Sequence, residues 1–183
     1  KKLVMPGGIE THCHIAQESG MGIMTSDDYE TGSISAAFGG NSSFVPFAAQ
    51  KKGESISDTV NEYDRRAETK SVIDYSYHLI ITDPNRDVLD ELPSAFERGI
   101  TSFKVFMTYA TRVSDAQFLD ILTVARRHGG LTMVHAENHD MLTWMSNALT
   151  EAGYVEPRFH APARPGIAEE EAINRAISLS KLA

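Results

Sequence analysis

Several features that mark other classes of protein are scarce or missing in this sequence of 183 residues. Cys13 is the only cysteine, so no disulfide can form within the chain, and a reducing cytoplasm is the expected location. No apolar run approaches the roughly 20 residues that a membrane-spanning helix needs. Residues 1–6 combine lysines with an apolar stretch that is far too short for a secretory signal peptide.

Positive charge is also in deficit, with a net charge of −8 spread along the chain. This balance argues against nucleic acid or an anionic membrane as a partner, because both are polyanions. No Gly-x-Gly-x-x-Gly follows the first predicted strand and no Walker motif is present, which counts against a nucleotide-binding sheet. The composition, 42% hydrophobic and 23% charged, is typical of a soluble globular protein.

The most informative stretch is Pro6-Gly7-Gly8-Ile9-Glu10-Thr11-His12-Cys13-His14, which ends in two histidines separated by one residue. Side chains at positions i and i+2 of a strand point to the same face, so His12 and His14 would converge on one point. Imidazole is a ligand for zinc, nickel, iron and manganese, so the pair does not select a metal. The alternative is that they are two unrelated histidines of the surface or core.

Hydrophobic periodicity predicts alternating strands and helices along the whole chain. The predicted strands cover about residues 9–14, 42–47, 72–82, 101–107 and 131–135. The predicted helices cover about residues 26–38, 55–70, 87–97, 114–128, 140–152 and 168–183. Pro46 is expected near the end of the second strand, and Pro93 is expected to kink or split the third helix.

Such alternation implies parallel strands, arranged as a doubly wound sheet or as a (β/α)8 barrel. A barrel needs eight strands and about 250 residues, and only five strands are predicted here. The expected fold is therefore an α/β, partial (β/α)8 TIM-type barrel of about five βα units plus a further helix, forming one domain over residues 1–183. Its open edges would be liable to aggregate unless something covers them.

In such a barrel, reactive groups gather at the carboxyl ends of the strands. Lys104 and His135 occupy those ends on the fourth and fifth predicted strands, and the spacing predicts them level with His12 and His14. Burial disfavours an unpaired ammonium, so Lys104 either becomes a neutral amine able to add carbon dioxide or extends outward to solvent. The sequence leaves these two alternatives open.

Three segments, in this order and at this spacing, carry a resemblance to a known family. They are residues 6–14, Thr101-Ser102-Phe103-Lys104-Val105-Phe106-Met107-Thr108-Tyr109 and Val134-His135-Ala136-Glu137-Asn138. They resemble the dihydropyrimidinase/hydantoinase branch of the amidohydrolase superfamily. The likeness extends over essentially the whole chain, including Ala163-Arg164-Pro165 before the last helix.

The resemblance implies a site with two divalent metal ions, most often zinc. It implies that His12 and His14 bind the more buried metal, that His135 binds the second, and that Lys104, carboxylated by carbon dioxide, bridges the two. Tyr109 would help to hold the developing oxyanion and contact the substrate. Phe106, two residues from Lys104, could share the substrate pocket or belong to the ordinary core of the barrel.

The implied activity is the opening of cyclic amides and imides, such as dihydropyrimidines and hydantoins, to N-carbamoyl amino acids by a metal-bridging hydroxide. The family pattern also includes a histidine on a sixth strand, an aspartate on an eighth and a small β-sandwich domain. Because none of these is present, the chain is expected to be an internal fragment that is inactive alone. The family also suggests a homotetramer.

Two alternatives to this function remain. One is an allantoinase or dihydroorotase, a related hydrolase with another ring as substrate. The other is a non-catalytic assembly protein of the same fold, against which the retention of all four candidate ligands argues.

Other residues receive weaker predictions. Cys13 alternates to the face opposite its two neighbours, so it is expected to pack against the helices. His78 is expected to make hydrogen bonds inside the barrel and not to bind metal. Met21, Ile23 and Met24 could form a hydrophobic gate over the substrate, although a mobile loop without that role fits the sequence nearly as well.

Overall fold

The computed structural model describes residues 3–19 and 22–183 as a parallel sheet covered by helices on one face. The strands are β1 (Gly8–Cys13), β2 (Asn41–Ala49), β3 (Asp74–Tyr75), β4 (His78–Ile80), β5 (Ser102–Phe106) and β6 (Leu131–His135). The α-helices are α1 (Tyr29–Phe38), α2 (Ile56–Ala67), α3 (Arg86–Glu97), α4 (Asp115–His128), α5 (His139–Glu151) and α6 (Gly166–Leu182). A short 3-10 turn covers Pro157–Phe159.

The strands follow one another across the sheet in the order β1-β2-β4-β5-β6, and β3 pairs with β2. Every pairing between these strands is parallel. A doubly wound sheet would reverse its strand order near the middle, whereas this order proceeds in one direction as in a barrel. The predicted partial barrel is therefore confirmed, and the doubly wound alternative is excluded.

The single strand predicted over residues 72–82 is wrong, because the structure divides it into β3 and β4. The register is the same on both sides of the gap, since Phe44 lies opposite Tyr75 and Phe47 opposite His78. The carbonyl of Phe44 accepts a hydrogen bond from the backbone N–H of Ser76. The next residue of β2 whose backbone groups face β3 and β4 is Pro46, which has no N–H to donate. Pro46 on β2 therefore interrupts the hydrogen-bond ladder at the gap between β3 and β4.

The two faces of the sheet differ in chemistry. On β5, Phe103 and Val105 are fully buried against the helices, while Ser102, Lys104 and Phe106 point to the inner face. Leu79 on β4 packs against the helices in the same way. The inner face therefore collects polar residues at the positions that alternate with the apolar core.

Helix boundaries follow local capping signals. Ser114 caps α4 by accepting from the N–H of Gln117, whose side chain accepts in turn from the N–H of Ser114. Asp28 and Thr31 form the equivalent capping box at the start of α1. Of the two effects predicted for Pro93, a split of the third helix is wrong, because α3 continues through this residue as one helix, and a kink stays a prediction.

In the described part of the chain, β1 and β6 are the outer strands of the sheet path. Each of them has one strand neighbour along that path, so the barrel is open on both sides. No helix among residues 3–19 and 22–183 is long and apolar enough to cross a membrane.

Candidate active site

The two histidines of the first motif lie side by side on the inner face. The ring centroids of His12 and His14 are 5.7 Å apart, and the His14 ring stacks on Phe47 with a centroid distance of 4.6 Å. His14 Nδ1 lies 2.7 Å from Oε1 of Gln17, which leaves Nε2 as the nitrogen that can bind a metal. Burial lowers the pKa of His12, and the positive charges of Lys104 and His14 lower it further.

Two aromatic rings connect the four candidate ligands. The amine nitrogen of Lys104 lies 5.9 Å from the ring centroid of Phe47 and 5.6 Å from that of Phe106. Phe106 in turn stacks on His135 with a centroid distance of 5.7 Å. No local sequence signal singled out Phe47, which contacts His12 in β1 and His14 just after it.

The candidate ligands are staggered in register along neighbouring strands, and their equal height around one rim stays a prediction. His78 on β4 lies opposite Phe47, but Lys104 lies opposite Ile80, two residues further along β4. His135 lies opposite Phe106, two residues beyond Lys104 on β5. Strands of a barrel are tilted and their register is staggered, so residues around one rim advance along successive strands.

Lys104 is the cation at the centre of this arrangement. Burial lowers the pKa of its amine below the ordinary value of 10.5. Among the described residues, no carboxylate forms an ion pair with it. A half-buried amine without a counter-ion favours the neutral, nucleophilic form.

Tyr109 follows β5 and has a backbone φ of +69°, in the left-handed region that side chains other than glycine rarely adopt. Its hydroxyl oxygen lies 3.4 Å from Nε2 of His135, and its ring is 6.1 Å from that of Phe106. The side chain is 40% exposed. The structure therefore brings Tyr109, Phe106 and His135 together.

Two residues quoted in the sequence motifs without a role also join the site. One carboxylate oxygen of Glu137 accepts from His135 Nε2 at 2.6 Å and from Arg164 at 2.8 Å. Burial alone would raise the pKa of Glu137, but the hydrogen bonds from His135 and Arg164 outweigh it and lower the pKa. The two-residue spacing from His135 could have indicated Glu137, whereas no local signal indicated Arg164, which reaches the site from the loop before α6.

The residues fit a metal only in part. Within residues 3–19 and 22–183, no group of three or more His, Cys, Asp or Glu side chains could hold a metal ion. The donors are instead the imidazoles of His12 in β1 and of His14 just after it, the imidazole of His135 in β6, and the amine of Lys104. Nitrogen donors suit zinc, but a zinc site needs at least three ligands around one ion, and these histidines would supply two to one ion and one to the other, so a further ligand is required.

A cavity of about 590 Å³ opens beside these residues. Phe106 and Tyr109 form part of its lining, together with Gln17, Tyr63 and Arg66. None of the four candidate ligands lines it. The cavity and the ligands are therefore neighbouring regions that share Phe106 and Tyr109 as their boundary.

The weaker predictions have mixed outcomes. Cys13 packs against the core as expected, and burial raises the pKa of its thiol to about 11. His78 is buried and makes hydrogen bonds with Ser102 and with the carbonyl of Thr11, as predicted. The gate stays a prediction, since its first residue, methionine 21, lies outside the described residues and Ile23 and Met24 are exposed.

The chain is similar to known proteins in sequence and in fold. No family model matches the sequence. The D-hydantoinase of Geobacillus stearothermophilus is 42% identical over 183 residues, which cover 98% of this chain and 39% of that protein. A solved D-hydantoinase structure matches with a TM-score of 0.93 and 38% identity. The structure of dihydropyrimidinase from Brevibacillus agri matches with a TM-score of 0.92 and 42% identity.

Both structural matches cover 97% of this chain and 39% of the other. The chain thus spans about two fifths of the length of the relatives it matches. In sequence and in fold, the chain is therefore similar to about two fifths of the length of D-hydantoinases and dihydropyrimidinases.

Proposed function

We propose that the protein carrying this chain is a metal-dependent hydrolase that opens cyclic amides and imides, such as hydantoins and dihydropyrimidines, to N-carbamoyl amino acids. One observation carries this proposal. His12, His14, Lys104 and His135 share the inner face at the carboxyl ends of the strands, joined through aromatic rings. The similarity to proteins named D-hydantoinase and dihydropyrimidinase supports the same reaction.

The proposed cofactors are two divalent metal ions, with zinc the first candidate. His12 and His14 would hold one ion, and His135 would hold the other. When bound, such ions polarise a carbonyl group and lower the pKa of bound water. Support comes from the nitrogen donors themselves and from the Gln17 contact, which orients the His14 ring.

The missing charged ligand is proposed to be a carbamate on Lys104. A neutral Lys104 amine attacks carbon dioxide, an N–C bond forms, and one proton is released. The product is a carboxylate on a long side chain, which can supply an oxygen to each of two metals. The lowered pKa of Lys104 and the absence of an acidic partner among the described residues support this step.

Tyr109 is proposed to donate its hydroxyl proton in a hydrogen bond to the oxyanion that develops on the substrate carbonyl. Phe106 is proposed to contact the substrate ring from the boundary it shares with the cavity. The substrate would then lie between the candidate ligands and the cavity of about 590 Å³. A cytoplasmic location and a homotetramer complete the proposal.

The test measures ring opening of hydantoin and dihydrouracil by the whole protein, together with its zinc content. Lys104→Ala should lower turnover by more than about 100-fold, since the loss of an outer-shell residue alone costs 10–100-fold. Lys52→Ala, which changes an exposed lysine, is the control and should leave turnover unchanged. Full activity in Lys104→Ala would refute the metal mechanism. Turnover of allantoin or dihydroorotate in place of the two rings would refute the proposed substrate class.

A further inference from the structure

Glu137 accepts from two close donors that come from different parts of the chain, and from the Tyr109 hydroxyl at the longer distance of 3.5 Å. Its Oε2 atom is 2.6 Å from His135 Nε2 and 2.8 Å from a guanidinium nitrogen of Arg164. The Glu137 side chain is only 16% exposed. The carboxylate is therefore fixed from two sides in a mostly buried position.

Arg164 is itself held in place by its surroundings. Its guanidinium carbon lies 5.5 Å from the ring centroid of Tyr109, and Pro165 follows it at the start of α6. The segment after β6 is tied to α6 by Asn138, whose backbone N–H donates to the carbonyl of Ala168 and whose amide donates to Glu171. The position of α6 thus sets the position of Arg164 relative to Glu137.

The contact with Glu137 determines which nitrogen of His135 carries the proton. An ionised carboxylate only accepts hydrogen bonds, so the nitrogen facing it must donate. In a neutral imidazole the other nitrogen then has a free lone pair. Among the described residues, no hydrogen bond reaches Nδ1 of His135. The Phe106 ring, inclined at 26° to the imidazole, limits rotation of that ring.

We propose that Glu137, held by Arg164, is a positioning residue that keeps His135 protonated at Nε2 and presents Nδ1 as the metal-binding nitrogen. This inference rests on the proposed function for the identity of the ligand at Nδ1. It adds a residue pair that connects α6 to the metal site. A pair serving only to fasten α6 would leave the tautomer of His135 unaffected.

The first measurement uses the whole protein without metal, labelled with ¹⁵N in its histidines, and reads the tautomer of His135 from nitrogen chemical shifts. The wild type should have a protonated Nε2, and Glu137→Ala should lose this preference. Glu137→Gln keeps a carbonyl oxygen as acceptor and should retain it. Glu151→Ala, which removes an exposed carboxylate at the end of α5, is the matched control.

The second measurement is zinc affinity by competition with a chelator. Glu137→Ala should weaken zinc binding by about 10–100-fold, with Glu137→Gln much closer to the wild type. An unchanged tautomer in Glu137→Ala would overturn the inference, and so would unchanged zinc affinity, even if the melting temperature fell. A wild-type protein that binds no zinc would instead refute the proposed function, while the tautomer of His135 would still decide the role of Glu137.

Discussion

Tyr109 holds a costly backbone conformation next to the candidate ligands. A left-handed φ costs roughly 1–2 kcal/mol for a residue with a Cβ atom. Glycine would avoid this cost, yet an aromatic residue with a half-exposed ring and a hydroxyl close to His135 occupies the position. Strain of this kind is concentrated at functional sites, where the surrounding structure enforces it.

We therefore predict that Tyr109→Phe lowers the rate of ring opening by about 100-fold, because one oxyanion donor is lost. The melting temperature should stay the same, because the ring and its contacts with Phe106 and His135 are kept. Steady-state kinetics and thermal unfolding of the whole protein provide the two measurements. Wild-type turnover in Tyr109→Phe would exclude the hydroxyl from the reaction.

Lys104 allows a prediction about stability that does not depend on catalysis. Because burial lowers its pKa in the folded state, the unfolded chain binds more protons, and the folded state carries a penalty. That penalty is present in full below the folded-state pKa, decreases as pH rises above it, and is gone above about 10.5, the unfolded value.

Lys104→Met should accordingly raise the melting temperature at pH 7, measured with a chelator and without carbon dioxide. The gain should shrink as the pH approaches 10. Lys52→Met, at an exposed position, should produce no comparable gain. A lower melting temperature for Lys104→Met at pH 7 would contradict the buried, unpaired amine.

Individual site residues differed in how far the sequence could predict them. His12, His14, Lys104 and His135 stand in recognisable motifs, and alternation along a strand assigns each to the inner face. Phe47 has no such signal, and the segment that contains Arg164 contributed to the resemblance without indicating a role for this residue. Their contacts with the site depend on the pairing of β2 and on the docking of α6, which are long-range features of the fold.

At the level of elements, local signals succeeded where a single segment decides the outcome. The sequence predicted α4 over residues 114–128, and the structure has Asp115–His128 with Ser114 as the cap. The third strand could not be predicted as two pieces, because the interruption comes from Pro46 on β2. A proline acting on its neighbour is invisible to a prediction made one segment at a time.

Pro46→Ala tests this explanation. The new backbone N–H at residue 46 should donate to the carbonyl of Ser76, between β3 and β4. It should therefore exchange slowly with solvent. The free energy of unfolding should change by no more than about 1 kcal/mol, because a hydrogen bond contributes about 0.5–1.5 kcal/mol and the loss of proline costs a similar amount. Amide exchange followed by NMR measures the first effect, and denaturant unfolding measures the second. Rapid exchange at residue 46 would show that the ladder is interrupted for another reason.

On the scale of the whole molecule, the open sheet predicts how an isolated chain of these 183 residues behaves. Both β1 and β6 offer an unpaired edge within the described chain, and unpaired edges promote association. The isolated chain should self-associate at micromolar concentration, as measured by sedimentation velocity. It should also bind less than two zinc ions per chain, since its donors form no group of three among the described residues. A monomeric chain with two tightly bound zinc ions would contradict both expectations.

His78 has a geometric consequence for this open sheet. Its side chain starts on β4, passes over β2 and reaches the carbonyl of Thr11 on β1, while its other nitrogen contacts Ser102 on β5. Two strand spacings in a flat sheet amount to nearly 10 Å, which is beyond the reach of an imidazole. The sheet must therefore curve from β1 to β4, and the hydrogen bonds of His78 connect strands across the inner face of that curve. These hydrogen bonds stabilise the curvature that brings His12 toward Lys104, although the barrel is open at β1 and β6.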